Sequence, residues 1–210
     1  MAACRQMWSL SGVAWKSNMS LMDALQEEWR TRAIMQQQFP MLTASGIPDS
    51  DVTIHSHFLS YLAALSQPLG YSGVVECPLI SSGDKTWAQL GDVRPDVVWF
   101  DKERNLPVAA FEFERFETRR EAKLREKVEN LVIAYWQSQQ RLTAAVLIYW
   151  ARSGVSSKMV RETTFGYRAD FVRHGVRVTA VSCPLYIFKC TWRSVAGGLV
   201  VSDILPVQSP

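Results

Sequence analysis

The chain has 210 residues, enough for one domain with a sizeable core. Its hydrophobic content of 48% and charged content of 20% are typical of a globular protein and exclude a disordered chain. No run approaches the roughly 20 apolar residues of a membrane-spanning helix, and we find no secretory pattern at the N-terminus. Four scattered cysteines without a CxxC pair argue against a zinc ribbon and a disulfide framework, so we expect a reducing, cytoplasmic location.

The net charge of +3 is unevenly distributed. Residues 141–194 carry nine basic and two acidic side chains, whereas residues 1–140 carry 14 basic and 17 acidic ones. A basic part beside an acidic one favours an anionic partner such as DNA, although a solvated surface rich in arginine accounts for it equally well. The candidate phosphate contacts are Arg119, Arg152, Lys158, Arg161, Arg168, Arg173 and Arg177.

Residues 1–50 are predicted to be an N-terminal helical segment. Ser20 suits an N-cap, and helix-forming residues continue to about Gln38. A second helix is predicted to start at Asp51 and to stop at Pro68. It contains both residues of an H-x-H pair, whose side chains diverge on a helix; we therefore interpret His55 and His57 as surface or core residues.

The middle of the chain predicts an antiparallel meander followed by a crossover. Three β-rich runs at 71–80, 93–101 and 108–114 are separated by turn signals. A long amphipathic helix over 117–140 and a wholly apolar strand at 143–150 then fit a βαβ crossover.

The rest of the chain predicts a helix over 155–172, ending near His174 as a cap, and a strand over 176–183. Residues 184–210 are predicted to hold one or two short strands. We therefore expect an α/β fold with a mixed sheet, in which an α/β core at 51–183 is followed by a C-terminal extension at 184–210.

Acidic residues are concentrated on two of the predicted strands. Asp96 follows a proline on the second strand, and Glu112 and Glu114 lie on the third. Because side chains alternate along a strand, the two glutamates share one face while Phe111 and Phe113 share the other. If the strands pair, Asp96 lies across from the glutamates.

Three carboxylates on one patch of sheet need a counter-ion, since like charges within about 4–6 Å raise one another's pKa. Carboxylates are hard oxygen ligands that suit Mg²⁺ or Mn²⁺, and such ions can drive phosphoryl chemistry. The candidate metal-binding carboxylates are thus Asp96, Glu112 and Glu114, and Glu76 on the first strand is a fourth candidate or an outer-shell helper. A solvated sheet face, neutralised by Arg94, Arg115 and helix charges, is the structural alternative.

The run RPDVVWFD followed by VAAFEFE, within residues 51–150, resembles the PD-(D/E)xK nuclease superfamily with its restriction-endonuclease-like fold. The resemblance implies that Asp96 and Glu112 bind the metal. The third motif position is usually lysine, which orients or deprotonates the attacking water, and here it is Glu114. Some members of the superfamily move the lysine to the following helix, where Lys123 and Lys127 are the candidates on a face shared with Arg119.

The resemblance implies a metal-dependent DNA endonuclease, acting in restriction, phage defence, repair or the cutting of mobile-element ends. Nucleases of this size commonly dimerise or join a larger complex. One alternative is an inactive subunit of the same fold that binds nucleic acid or scaffolds a complex. Another is a protein–protein adaptor of unrelated α/β fold, in which the three acidic residues would not converge.

Eight tryptophans are many for this length. Trp99, Trp136 and Trp150 lie in apolar segments and are predicted to be core residues. The others, Trp192 among them, are left open between packing and stacking on bases or on a partner chain.

Overall fold

The computed structural model describes residues 19–79, 85–116, 121–151 and 157–207. They form an α/β fold in which a six-stranded mixed sheet lies between two layers, as the sequence predicts. The helices are α1 (Leu21–Thr31), α2 (Ala33–Gln38), α3 (Asp51–Leu65), α4 (Lys85–Ala88), α5 (Glu121–Gln137) and α6 (Ser157–Thr164). The strands are β1 (Tyr71–Val75), β2 (Val97–Asp101), β3 (Pro107–Arg115), β4 (Ala144–Trp150), β5 (Phe171–Arg173), β6 (Val176–Val178), β7 (Leu185–Val195) and β8 (Gly198–Val207).

The sheet has the strand order β1-β2-β3-β4-β7-β8. The first three strands form the predicted antiparallel meander. The next pair, β3 and β4, is parallel and is joined by α5, so the predicted crossover is confirmed. All seven residues of β4 are buried because helices and loops cover both faces of this central strand.

Alternation along β3 divides its side chains between the two layers. Phe111 and Phe113 pack in the core with α1, α2 and α3. The opposite face of the sheet packs against the apolar stripe of α5, which includes Leu124 and Val128. The acidic residues of β3 therefore face the layer that contains α5.

Among the described helices, none is both long and apolar enough to cross a membrane.

The C-terminal residues contribute two long strands to the same sheet, of 11 and 10 residues, rather than the short strands predicted. Strand β7 lies parallel to β4, and β8 returns antiparallel to β7. Ile187 and Phe188 of β7 are buried, one in each of the two cores. Residues 184–207 thus complete the sheet that carries the acidic residues.

The segment between β4 and β7 differs most from the prediction. Its helix α6 ends at Thr164 and is followed by a 3₁₀ turn over Phe165–Arg168, so the helix predicted to residue 172 is too long. The strand predicted over 176–183 is limited to β6, which pairs only with β5 in a two-stranded ribbon. His174 lies in the turn of that ribbon, where φ is 50° and that of Gly175 is 78°, so its predicted role as a helix cap is wrong.

The predicted N-terminal helix is interrupted at Arg32, which adopts a left-handed φ of 56°. The buried carboxylate of Glu28 explains the break. It accepts hydrogen bonds from the backbone N–H groups of Ile34 and Met35, at 3.0 Å each, and so supplies the cap at the start of α2. The break turns α2 away from the α1 axis.

Candidate active site

The acidic residues converge where β2 and β3 meet α5. Asp96 stands just before β2, and one of its side-chain oxygens, Oδ2, accepts a hydrogen bond of 2.7 Å from the backbone N–H of Phe113 on β3. Glu112 and Glu114 flank that residue on β3 and point to the opposite face from its ring. This backbone bond fixes Asp96 beside the two glutamates.

Lys127 of α5 joins two of the carboxylates. Its Nζ lies 2.9 Å from Asp96 Oδ1 and 2.6 Å from Glu112 Oε2. One turn earlier on α5, Lys123 Nζ lies 2.6 Å from Glu114 Oε1. The lysine-bearing face of the helix therefore looks back at the sheet. These two ammonium groups neutralise the carboxylates, whereas Arg115 pairs with Asp51.

The two lysines differ in their access to water. The side chain of Lys127 is 19% exposed and that of Lys123 is 57% exposed. Glu112 has no exposed surface. Lys127 is thus part of the interior of the site, while Lys123 stands at its mouth.

Burial and the negative charge of Asp96 raise the pKa of Glu112 above its usual range, against the opposing effect of Lys127. Burial alone would also raise the pKa of Asp96. Hydrogen bonding from His55 and the charge of the Lys127 ammonium outweigh that effect, so the pKa of Asp96 is lowered. Burial disfavours the charged ammonium, but the adjacent Glu112 and Asp96 raise the pKa of Lys127 overall. Asp96 and Lys127 are therefore both charged at neutral pH.

The hydrogen bonds around the acidic pair extend to two other elements. His55 Nε2 of α3 lies 3.4 Å from Asp96 Oδ2. Asn130 Nδ2 of α5 lies 3.5 Å from Glu112 Oε1, and the Asn130 side-chain carbonyl accepts a bond of 2.7 Å from Arg173 of β5. The ribbon and α3 thus approach the acidic pair from opposite faces of the sheet.

Asp96, Glu114 and Lys127 line a cleft of about 480 Å³, whereas the fully buried Glu112 is not among its lining residues. Its floor includes Asp96 and Glu114, and its walls include His55, Arg115 and Trp150. The Arg115 guanidinium lies 5.1 Å from the centre of the Trp150 ring, a cation–π arrangement. The cleft lies at the carboxyl ends of the parallel strands β3 and β4, the usual place for ligands in α/β sheets.

The described residues include no cluster of three or more histidine, cysteine or acidic side chains arranged to hold a metal ion. Asp96 and Glu112 are nevertheless close enough to share one cation, the Lys127 ammonium. Protein sites for Mg²⁺ commonly use only one or two carboxylates, with water and substrate oxygens completing the shell. The donor set therefore fits Mg²⁺ or Mn²⁺ as a two-carboxylate site.

Glu76, the fourth candidate carboxylate, is exposed and lines the cleft. The chain turns there with a φ of 48°, which ends β1 earlier than the predicted strand over 71–80. The Glu76 backbone N–H donates to the backbone carbonyl of Asp96 at 2.9 Å. This residue thus belongs to the cleft wall, and its backbone helps to position Asp96.

The basic residues predicted to contact phosphates differ in their exposure and in their partners. Arg119, Arg152 and the side chain of Arg161 lie outside the described residues. Lys158 and Arg168 are exposed, whereas Arg173 binds Asn130 and Arg177 pairs with Asp170 at 2.7 Å. Arg173 accordingly anchors the ribbon next to the acidic pair.

Two residues that contact the acidic pair, His55 and Asn130, are not among the site residues predicted from the sequence. His55 was interpreted as a surface or core residue, yet it contacts Asp96 from within the cleft wall. A signal was available, because Asp51 and His55 lie at i and i+4 on α3 and both line the cleft. Asn130 lies three residues after Lys127, on the same face of α5.

Comparison with known proteins adds no family assignment. No family model, no curated protein and no solved structure matches the chain. The geometry of the chain's own residues is therefore what bears on its function.

Proposed function

We propose that this protein is a metal-dependent DNA endonuclease with its active site at Asp96, Glu112 and Lys127. The observation that carries the proposal is the position of Lys127, whose ammonium joins both carboxylates from the helix after the meander. That is where the resemblance to the PD-(D/E)xK superfamily puts a lysine when the third motif position is not lysine. The order of a helix, a three-stranded meander, a long helix and a parallel strand agrees with that resemblance.

The carboxylates of Asp96 and Glu112 would hold Mg²⁺ or Mn²⁺, which supplies Lewis-acid polarisation of a phosphoryl group. Lys127 is positioned to stabilise negative charge on the phosphate as the bond to the leaving oxygen breaks. Glu114, held by Lys123 at the mouth, can accept a hydrogen bond from an attacking water. Arg115 in the cleft wall can bind a neighbouring phosphate.

A basic surface beside the site would hold the DNA backbone. Lys158 and Arg168 are exposed in the segment between β4 and β7, and Arg173 fixes the ribbon of that segment against α5. Phosphate contacts of this kind position DNA without reading its sequence. A second copy of the chain or a larger complex would supply the second active site needed to cut both strands.

A cleavage assay tests the proposal. Wild type, Asp96→Asn and Glu103→Gln are incubated with supercoiled plasmid, linear duplex and single-stranded DNA in Mg²⁺, Mn²⁺ or EDTA. Glu103 is the matched control because it is an exposed carboxylate away from the cleft. We expect metal-dependent cutting by wild type and Glu103→Gln, and none by Asp96→Asn. Cutting in EDTA, or equal cutting by all three proteins, would refute it.

The second candidate is an inactive subunit of the same fold that binds nucleic acid. It is favoured by the ammonium of Lys127, which lies between the two carboxylates and binds both of them without a metal. Wild type that binds DNA equally well in Mg²⁺ and EDTA, and cuts none of the three substrates, would establish this candidate. The adaptor alternative expects the acidic residues to lie apart, and their convergence on α5 supports the nuclease proposal over it.

A further inference from the structure

A second cavity adjoins the acidic cleft. It has a volume of about 240 Å³ and shares Trp150 with the cleft as a common wall. Its lining consists of Asp49, Trp150, Ala151, Trp192, Ser194 and Leu199. Since β7 lies parallel to β4, the two cavities follow one another along the sheet from β3 to β7.

The lining combines aromatic surface with a few polar groups. The Trp150 and Trp192 rings are 6.0 Å apart at 62°, in edge-to-face contact. Trp150 is 2% exposed, so packing holds its ring in place, while Trp192 is half-buried. Asp49 adds a carboxylate and Ser194 a hydroxyl. Trp192 and Ser194 together offer a flat apolar surface and a hydroxyl that can donate or accept a hydrogen bond.

Size and charge restrict what can bind there. Sites for drug-sized molecules are typically about 300–1,000 Å³, so a cavity of about 240 Å³ suits a single flat ring system. The described residues that line it include one carboxylate, that of Asp49, and no lysine or arginine. The cationic groups lie on the other side of Trp150, where Arg115 packs over the ring. Phosphate and ring would thus be held on opposite sides of one tryptophan.

We propose that the cavity lined by Trp150 and Trp192 binds one unpaired base of the DNA strand whose phosphate occupies the acidic cleft. The choice of DNA rests on the proposed function. A base in a duplex is stacked on its neighbours and cannot enter a side cavity unless it is unpaired or flipped out. Tryptophan stacks on any base, while the Ser194 hydroxyl can form a hydrogen bond with the edge of the base. The substrate class is therefore DNA with an unpaired nucleotide next to the cleaved bond.

The experiment measures binding without metal, so that cleavage plays no part. A fluorescently labelled single-stranded oligonucleotide is titrated in EDTA with wild type, Trp192→Leu and Trp87→Leu. Trp87 is the matched control, because it is also half-buried but stacks on Trp136 in the other core. A second measurement titrates wild-type protein with an oligonucleotide of the same length in which every nucleotide is abasic, so it does not depend on the folding of a variant.

We expect Trp192→Leu to weaken binding by about 5- to 100-fold, as the loss of one base stack does, and Trp87→Leu to leave it unchanged. We expect the abasic oligonucleotide to bind wild type more weakly by a similar factor, and to bind Trp192→Leu with the same affinity as the normal oligonucleotide does. Equal affinity of wild type for the two oligonucleotides, or equal affinity of both variants and wild type, would overturn the inference. Cleavage by a protein whose DNA affinity depends neither on Trp192 nor on the bases would contradict this inference and leave the proposed function intact. Binding that depends on Trp192, without any cleavage, would support this inference and contradict the proposed function.

Discussion

At the scale of single residues, the site depends on one ammonium shared by two carboxylates. Asp96 and Glu112 lie on adjacent strands, and Lys127 reaches both of them from α5. The strand pattern alone predicted that the carboxylates would share a patch. It did not predict which lysine would reach them, because Lys123 and Lys127 lie one turn apart beside the same apolar stripe.

Replacing Lys127 by methionine removes the charge and keeps the length of the side chain. We expect Lys127→Met to lower the single-turnover rate of Mg²⁺-dependent cleavage by about 100-fold or more, as the loss of a positioned charged group does. Lys123→Met is the matched variant and should cost less than about 10-fold, since its ammonium is largely hydrated. A larger effect at Lys123 than at Lys127 would contradict the assigned roles.

The raised pKa of Glu112 predicts a pH-dependent stability. An unfolded chain titrates its glutamates near pH 4.3, so the folded protein holds this proton more tightly. The resulting stabilisation is complete below about pH 4.3 and is lost as the pH rises through the folded pKa. In EDTA, we expect the unfolding temperature of wild type to fall relative to that of Glu112→Gln from about pH 4 to about pH 8.

Thermal unfolding followed by circular dichroism measures this difference. The glutamine side chain has the shape of the protonated acid and does not titrate, so it serves as the reference at each pH. Parallel pH profiles for the two proteins would show that the pKa of Glu112 does not change on folding.

At the scale of elements, the break between α1 and α2 has an identifiable cause. Glu28 is fully buried, and its carboxylate binds the N–H groups of Ile34 and Met35 and the hydroxyl of Tyr61. These bonds satisfy N–H groups that the first turn of a helix leaves without partners. At the break, the Arg32 side chain donates hydrogen bonds to the backbone carbonyls of Val201 and Ser202 on β8, and residues Met41–Ser45, which follow α2, pack against the same strand.

Glu28→Ala should destabilise the fold by about 3 kcal/mol or more, because each buried donor left unpaired costs about 1–3 kcal/mol. Urea unfolding measures the loss. Glu27→Ala is the control, since its ion pair with Arg30 is exposed and should change nothing measurable. Similar midpoints for the two variants would show that Glu28 does not hold the helix pair together.

Elements with strong periodicity were predictable from the sequence. The stripe of α5 and the apolar run of β4 both identify buried segments correctly. The structure of residues 157–178 was not predictable in this way, because their apolar residues fit both a helix and a short ribbon. The chain forms the ribbon because it turns at His174 and Gly175, where both residues have positive φ. The helix break at Arg32 depends on a buried carboxylate contact that no local pattern reveals.

At the scale of the whole molecule, residues 184–207 belong to the sheet that carries the site. Strand β7 covers the edge of β4 and buries Ile187, Phe188 and Cys190. Its parallel pairing with β4 requires a second crossover, between β4 and β7, and the local sequence pattern did not identify that crossover. The fold around the acidic pair therefore requires the end of the chain.

A chain that ends at residue 183 should lose cooperative unfolding and its near-ultraviolet circular dichroism, because β4 would be left with an exposed apolar edge. A chain shortened only by residues 208–210 is the control and should unfold like wild type. A chain ending at 183 that unfolds cooperatively at the wild-type temperature would show that residues 184–207 are a dispensable extension.

The most direct test of the metal site is a titration with Mn²⁺ followed by electron paramagnetic resonance, using wild type, Asp96→Asn and Glu103→Gln. Mn²⁺ takes the same oxygen ligands as Mg²⁺ and can be counted when bound. A metal site at Asp96 and Glu112 predicts one bound Mn²⁺ in wild type and in Glu103→Gln. It predicts that Asp96→Asn binds Mn²⁺ more weakly by about 100-fold or more. Equal binding by all three proteins, or none by wild type, would contradict a metal site at Asp96 and Glu112.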